Sequence, residues 1–334
     1  MRAASLALLV FAFAAARAEA APARWVLASI APEDSPSGQL ARRMGALFER
    51  NAPGELVFKW RLGGVLGDEA DTVAMCRRGE IAAFAGSMGA VAAVVPEIEL
   101  LEQPYLFPDL ETFQAARRAI ERLPQFQAYF HKRDLVLLGM VAIGWRNIFS
   151  VKRPVHSVSD LRGMRVRTQP GALHTEIWKA FGAEPRAIPL TELNTALEVG
   201  HVEAFDVPAN FAYATSLDSK AHHYTLSRHL LQIAMFVVNK KAWDALSHAS
   251  RVRLTDGLEA IVVASEKQHM AFDDELLGHL RKGGAAIYVP SAAELATFRE
   301  ASGGIGEYLR RRATKAERVL FDGVRQVVKG ARKP

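Results

Sequence analysis

Apolar residues along the chain follow two alternating spacings. Short apolar or alternating runs are typical of strands, and stripes that repeat every three to four residues are typical of helices. The run 25–30 predicts a strand, and Ser35 followed by Pro36 predicts a capped helix start. The stripe of this helix consists of Leu40, Met44, Leu47 and Phe48. Strands alternating with helices in this way predict an α/β fold with a largely parallel sheet.

The same alternation continues and predicts two successive series of units. In the first series, strands are predicted at 56–60, 81–85 and 135–141, and helices at 68–79 and 109–122. The second series begins after a hinge-like Gly144, with strands at 164–168 and 202–207 and helices at 173–181 and 192–199. Residues 250–282 have a helical pattern with few helix-stop signals. A helix of this length is too long for one compact lobe and is therefore predicted to span two.

The first residues have the pattern of an export signal. Arg2 precedes the apolar run 6–13, and small residues lead to a cleavage-type sequence at 18–20. A membrane span needs about 20 apolar residues, so this pattern predicts a cleaved signal peptide over 1–20 and a periplasmic location. The chain's single cysteine, Cys76, lies far from the cleavage point, which argues against a lipid anchor and against an internal disulfide.

The length of the remaining chain favours two lobes. Removal of the signal peptide from 334 residues leaves about 314, and chains beyond roughly 250–300 residues tend to divide their core. Lobe 1 is predicted to comprise 21–144, with about 232–270 returning to it. Lobe 2 is predicted to comprise 145–231, completed by about 271–334.

Charge adds a constraint on the partner. The formal net charge is +6, and loss of two arginines and one glutamate with the signal peptide lowers it by one. A basic balance fits nucleic acid, an acidic membrane surface or an anionic ligand. Apart from the run 310–312 and the C-terminal tail, the basic residues are scattered. This distribution favours an anionic ligand and argues against both nucleic acid and an acidic membrane surface.

Several short stretches, taken in order, resemble one known family. The similarity runs over nearly the whole mature chain, and it is to the solute-binding proteins of tripartite ATP-independent periplasmic (TRAP) transporters, the DctP family. The stretches are LGGVLGDE at 62–69, RGEI at 78–81, VPE at 95–97, QPYLF at 103–107, GWR at 144–146, DLRGMRVR at 160–167, TELNTAL at 191–197 and GHVEAFDVP at 200–208.

The resemblance implies a two-lobed periplasmic-binding-protein fold with a ligand cleft between the lobes and hinge closure on the ligand. It also implies that Arg167, at the end of the strand after the Asp-Leu-x-Gly motif, pairs with a ligand carboxylate, and that Arg146 assists. The implied partners are a small and a large integral membrane subunit driven by an ion gradient.

The chemistry of these side chains agrees with the resemblance. A guanidinium group offers a planar fork of donors that matches a carboxylate, and it stays charged when partly buried. Arg167 is predicted at a strand end, before a turn that includes Gln169 and leads to a helix N-terminus, and such positions favour anions. The alternative role for Arg167 is a structural salt bridge.

The chain departs from the family pattern at several positions of the expected cleft. Many members have Gln-Glu-Asn-Pro where this chain has Phe205-Asp206-Val207-Pro208, and Leu190 replaces a frequent aromatic residue. An apolar part of the ligand is therefore predicted to contact Phe205, Val207, Leu190 and Trp145. Such a cleft suits a keto, aliphatic or aromatic acid. The predicted ligand contacts are completed by Asp206, Gln169, Ser87 and Glu69.

Other kinds of site have weaker support. His201, His222, His223 and His229 lack the ligand spacing of a known metal site, and no phosphate loop or nucleophile motif is present, so neither a metal nor a cofactor is predicted. Two other functions are compatible with the same scaffold: that of an enzyme, and that of a binding protein that signals to a sensor. The lack of a paired acid and base near Arg167 argues against the enzyme.

Overall fold

The computed structural model describes residues 21–332, so the predicted signal peptide at 1–20 lies outside the described residues. The strands are β1 Ala23–Ala28, β2 Leu56–Arg61, β3 Ala83–Ser87, β4 Leu135–Ser150, β5 Arg165–Thr168, β6 Glu184–Ala187, β7 Ala204–Val207, β8 His223–Asn239 and β9 Ala286–Tyr288. The helices are α1 Pro36–Asn51, α2 Glu69–Arg78, α3 Met88–Ala92, α4 Leu110–Glu121, α5 Pro124–His131, α6 Ala172–Ala180, α7 Leu193–Glu198, α8 Ala209–Ala214, α9 Lys240–Asp244, α10 His248–Lys282, α11 Ala292–Ala301, α12 Ile305–Arg312 and α13 Lys315–Ala331.

These strands form one mixed sheet in the order β2-β1-β3-β8-β4-β7-β5-β6, with β9 also paired to β8. The outer strands pair in parallel on each side, as the alternating pattern predicts. The two central strands, β4 and β8, are antiparallel to each other and are 16 and 17 residues long. They run through both halves of the sheet and connect them.

The central pair differs from the sequence-based expectation. The predicted strand at 135–141 does not end there but continues to Ser150, and β8 was not predicted. The sequence predicts a hinge at Gly144, yet in the structure the strand β4 continues through this residue, which has a φ of 131°. Most of β8 is buried, and a strand buried on both faces lacks the apolar–polar alternation that identifies a strand.

The core lies on both faces of this sheet. Alternate residues of β8 divide between two clusters, because successive strand side chains point to opposite faces. Met235 and Val237 join the largest cluster, and Phe236 and Val238 join a second one under α1 and α10. A third cluster fills the same face at the other end of the sheet, around Phe205.

Helix α10 is 35 residues long and contacts both ends of the sheet. Its Leu258 packs in the second cluster and its Leu276 in the third. The prediction of a helix that spans both lobes is therefore confirmed. Among residues 21–332, no helix is both long and apolar enough to cross a membrane.

Gly144 lies where β4 passes from one half of the sheet to the other. The register between β4 and β8 shifts between Ala142 and Trp145. A Cβ atom on Gly144 would lie 2.7 Å from a carboxylate oxygen of Asp273 and 2.9 Å from Pro208 Cβ, so the position needs glycine. The lobe limits on either side of residue 144 remain predictions.

Candidate functional site

A cavity of about 320 Å³ lies between the two halves of the sheet. Its walls come from α1, the first turn of α2, the end of β3 with α3, the central strands, and the segments that follow β5 and β7. The cavity thus lies at the carboxyl ends of parallel strands, where ligands of open α/β sheets bind.

Arg167 lies in this cavity at the end of β5, as predicted. Its side chain is only 3% exposed, and its Nε donates to the Ile188 carbonyl at 2.9 Å. Across residues 21–332, no carboxylate oxygen lies within 4.0 Å of this guanidinium, and its terminal nitrogens have no hydrogen-bond partner. Burial, together with the nearby charge of Arg146, lowers the pKa of Arg167 to about 10, which still leaves it cationic at neutral pH.

Arg146 also lines the cavity, but its hydrogen bonds are nearly all made within the protein. Its Nε donates to Asp206 Oδ2 at 2.5 Å, one terminal nitrogen donates to the Asp206 carbonyl at 2.6 Å, and the other donates to Gln232 Oε1 at 2.5 Å. Although burial alone would raise it, Arg146 and His229 hold the pKa of Asp206 well below its ordinary value. His229 Nε2 lies 3.1 Å from Asp206 Oδ2, and burial lowers the pKa of this histidine. Arg146 is therefore part of a buried ionic network.

A polar chain crosses the cavity from one half of the sheet to the other. Glu69 Oε1 accepts from the Ser87 backbone N–H at 2.7 Å, and its Oε2 accepts from Ser87 Oγ at 2.5 Å. Ser87 Oγ in turn accepts from Gln169 Nε2 at 3.4 Å. A Cβ atom on Gly89 would overlap this amide at 1.9 Å, so glycine is required for Gln169 to lie there. Burial raises the pKa of Glu69 despite the hydrogen bonds from Ser87.

The rest of the cavity is mainly apolar. The helix α1 contributes an aliphatic wall, and Phe211 and Phe236 face the cavity from α8 and β8. Val207 and Leu190 also line it, as predicted. The apolar residues of the wall are Ile30, Leu40, Ala41, Met44, Val141, Ile143, Leu190, Val207, Phe211, Ala234, Met235 and Phe236.

The structure places three of the predicted contact residues away from the cavity. Phe205, which was expected to meet the ligand, is instead fully buried in the third core cluster, where its ring stacks on Phe149 at 4.9 Å, and it does not line the cavity. Trp145 lines a different, smaller cavity, because it points to the face of β4 opposite Arg146. Asp206 does not line the cavity and instead lies behind it as the counter-ion of Arg146.

Other residues of the site did not emerge from the sequence. Gln232, on the unpredicted strand β8, anchors Arg146, and it is an isolated amide in an otherwise apolar run. Asp68, at the start of α2, lines the cavity and has one buried carboxylate oxygen without a hydrogen-bond partner. Within the part of the chain that the structure describes, no group of three or more His, Cys, Asp or Glu side chains could hold a metal ion.

A cavity between two halves of one sheet, lined by a buried cation that has no salt-bridge partner among residues 21–332, is the arrangement expected of a binding protein for a small anion. Residues 27–309 match the family described as bacterial extracellular solute-binding protein, family 7, or DctP. The chain belongs to this family, and the resemblance drawn from the sequence motifs is confirmed.

Individual relatives agree with this assignment. A solute-binding protein of Sulfitobacter sp. (strain NAS-14.1) is 27% identical over 252 residues, which are 75% of this chain and 73% of that protein. A TRAP periplasmic solute-binding protein of Desulfovibrio salexigens with bound orotic acid has a TM-score of 0.87 at 19% identity, covering 92% of this chain and 99% of that one. A sugar acid binding protein of Advenella mimigardefordensis in complex with galactonate has a TM-score of 0.84 at 22% identity, with 93% and 99% covered. The two solved structures share the fold.

Proposed function

We propose that this protein binds a small organic carboxylate in the cavity and that Arg167 pairs with the carboxylate. The observation that supports the proposal is a guanidinium 97% removed from solvent whose terminal nitrogens lack protein partners among the described residues. Burying a charge without a partner is costly, so the site favours a bound anion that supplies the missing acceptors. The first turn of α6, which follows the cavity-lining Gly171, adds backbone donors on the same side.

The body of the ligand is a keto, aliphatic or aromatic group. Apart from Arg167 and a few other polar residues, the cavity lining is mainly apolar, whereas a sugar acid requires many hydrogen-bond partners. The solved relatives bind a hydroxylated acid in one case and a flat aromatic acid in the other. The wall described above supports the second kind of ligand for this chain.

The cleft closes on the ligand by bending of β4 and β8 near Gly144. A ligand that binds only the closed form stabilises the protein by about 2.7 kcal/mol at a hundredfold excess over Kd. Small-angle scattering with and without saturating ligand tests this, and the radius of gyration should fall. An unchanged radius together with a raised melting temperature would contradict closure.

The protein acts outside the cytoplasm and delivers its ligand to a small and a large TRAP membrane subunit. The family assignment supports export, and the pattern over residues 1–20 supports a cleaved signal peptide. The chain acts as a binding protein and not as an enzyme. Pull-down of the two membrane subunits with ligand-loaded protein tests the partnership, and recovery of the ligand chemically unchanged after prolonged incubation tests the absence of turnover.

The central experiment is identification of the ligand. Native mass spectrometry of protein purified from a rich medium should show a bound mass, and the released molecule should be an acid with few hydroxyl groups. Calorimetric titration of that acid into wild type and into Arg167→Ala should show binding in the first protein only. Release of a neutral compound, or equal affinity in both proteins, would overturn the carboxylate assignment.

A further inference from the structure

A further cavity, of about 480 Å³, lies on the outside of the molecule, away from the ligand cleft. Its walls are the segment 103–106, the end of α11, the turn before α12, and one face of α13. Four cationic side chains line it, and no aspartate or glutamate does so within residues 21–332. These cations are Arg299, Arg325, Lys329 and Arg332.

None of the four cations forms a salt bridge with an aspartate or glutamate of residues 21–332, although the charge of Arg325 acts on Asp322 one turn away on α13. In the described range, no carboxylate oxygen lies within 4.0 Å of any of them, whereas the nearby Arg310 pairs with Asp322 outside the cavity. Arg299 lies over the Tyr105 ring at 5.2 Å, and Arg332 donates to the Leu106 carbonyl at 3.3 Å. Both contacts hold the arginines against the segment 103–106 without neutralising their charge.

This cavity joins elements from both halves of the molecule. Helix α13 packs on α4, while α12 packs on α6 and α11 packs on β8. A Cβ atom on Gly306 would lie 3.0 Å from the side-chain oxygen of Gln103, so these walls touch. The Tyr105 backbone N–H donates to the His229 carbonyl at 3.0 Å, and the His229 ring bonds to the counter-ion of Arg146. The cavity therefore lies directly behind the ionic network of the ligand site.

We infer that this cavity binds a small polyanion, with two or more phosphate or carboxylate groups. Four unpaired cations around one concave space repel each other, and a multivalent anion that contacts several of them removes this repulsion. Three of the four cations belong to α13 or its C-terminal flank, beyond residues 27–309 that match the family, so the family match does not account for this site.

Inorganic pyrophosphate is a suitable probe for calorimetric titration at low salt. We expect pyrophosphate to bind wild type, and to bind it less well when the protein is saturated with orthophosphate. The double variant Arg325→Gln/Lys329→Gln should bind pyrophosphate at least about tenfold more weakly than wild type. The matched control is Arg311→Gln/Lys315→Gln, which removes the same charge from exposed positions outside the cavity and should keep wild-type affinity.

A third protein separates this site from the ligand cleft. Arg167→Ala should leave pyrophosphate affinity unchanged while it abolishes binding of the cognate carboxylate. The inference is overturned if wild type gives no saturable binding, if both double variants lose affinity equally, or if Arg167→Ala abolishes pyrophosphate binding. The last result would show that pyrophosphate occupies the ligand cleft, and it would not contradict the proposal that Arg167 binds a carboxylate.

Discussion

Two buried arginines on either side of β7 have opposite surroundings. Arg146 on β4 is surrounded by Asp206, Gln232 and a backbone carbonyl, whereas Arg167 on β5 has a single carbonyl partner. Both side chains are nearly inaccessible, at 2% and 3% exposure. Burial therefore does not distinguish a structural cation from a receptor for an anion. The distinguishing property is whether the protein supplies the acceptors itself.

The largest expected difference between the two arginines is the change in stability when each is replaced by methionine. Arg146→Met leaves the buried Asp206 with His229 as its remaining side-chain partner, and loss of one member of a buried pair costs about 3–5 kcal/mol of unfolding free energy. Arg167→Met removes an unpaired buried charge, so the ligand-free protein should keep or gain stability. Urea unfolding of both ligand-free variants measures the difference. Equal losses in the two variants would show that the arginines play the same structural role.

Replacement of the arginines by lysine tests the comparison through binding. Arg167→Lys keeps the charge but loses the planar fork, and it should weaken carboxylate binding by about 1.5–3 kcal/mol, roughly tenfold to a hundredfold or more. The melting temperature of the ligand-free protein should barely change, and Arg146→Lys should weaken binding less. Calorimetry with the identified ligand provides the measurement, and Arg165→Lys, on the same strand, is the control. Unchanged affinity in Arg167→Lys would mean that the carboxylate binds elsewhere.

The apolar wall can be tested by a change of specificity. Val207→Asn introduces hydrogen-bonding groups at the cavity and should favour a hydroxylated acid over an apolar one by up to about tenfold. Val199→Asn is the control, because that side chain is exposed far from the cavity lining. Competition between one acid of each kind gives the ratio directly. A ratio that moves equally in both variants would exclude Val207 as a ligand contact.

A third charged group, the half-buried Asp273 on α10 beside Gly144, should show an effect that depends on pH. Burial raises its pKa to about 7, although the Asn210 backbone N–H donates to it at 2.9 Å. Because the folded pKa lies above the unfolded one, this group lowers stability progressively from about pH 4 to pH 7 and not further above that range. Asp273→Asn should therefore gain stability relative to wild type as pH rises through this window.

Urea unfolding at pH 4.5, 6 and 8 measures this difference. The exposed neighbour Asp274 supplies the control, and Asp274→Asn should give a difference from wild type that does not depend on pH in this way. A stability difference for Asp273→Asn that stays constant over the three pH values would contradict the assignment.

The sequence was informative where local pattern and chemistry coincide. Arg167 could be predicted because a recognisable motif precedes it and its strand ends there. Trp145 and Phe205 could not be placed correctly, because composition does not show which face of a strand meets the cavity. Phe205 lies within β7 opposite Phe149, while Val207, two residues later, reaches the cavity at the strand end. The long strand β8, which supplies Gln232, was missed because burial on both faces removes the alternation.

The two central strands have a mechanical consequence. Since β4 and β8 cross the junction as one hydrogen-bonded ribbon, the halves are joined by a flexural element and not by swivelling loops. The ladder of this ribbon is interrupted by three register shifts, and the shift beside Gly144 lies at the junction of the two halves. If the cleft closes as proposed, the bending stiffness of this ribbon opposes closure, and the rate of reopening depends on that stiffness as well as on the ligand.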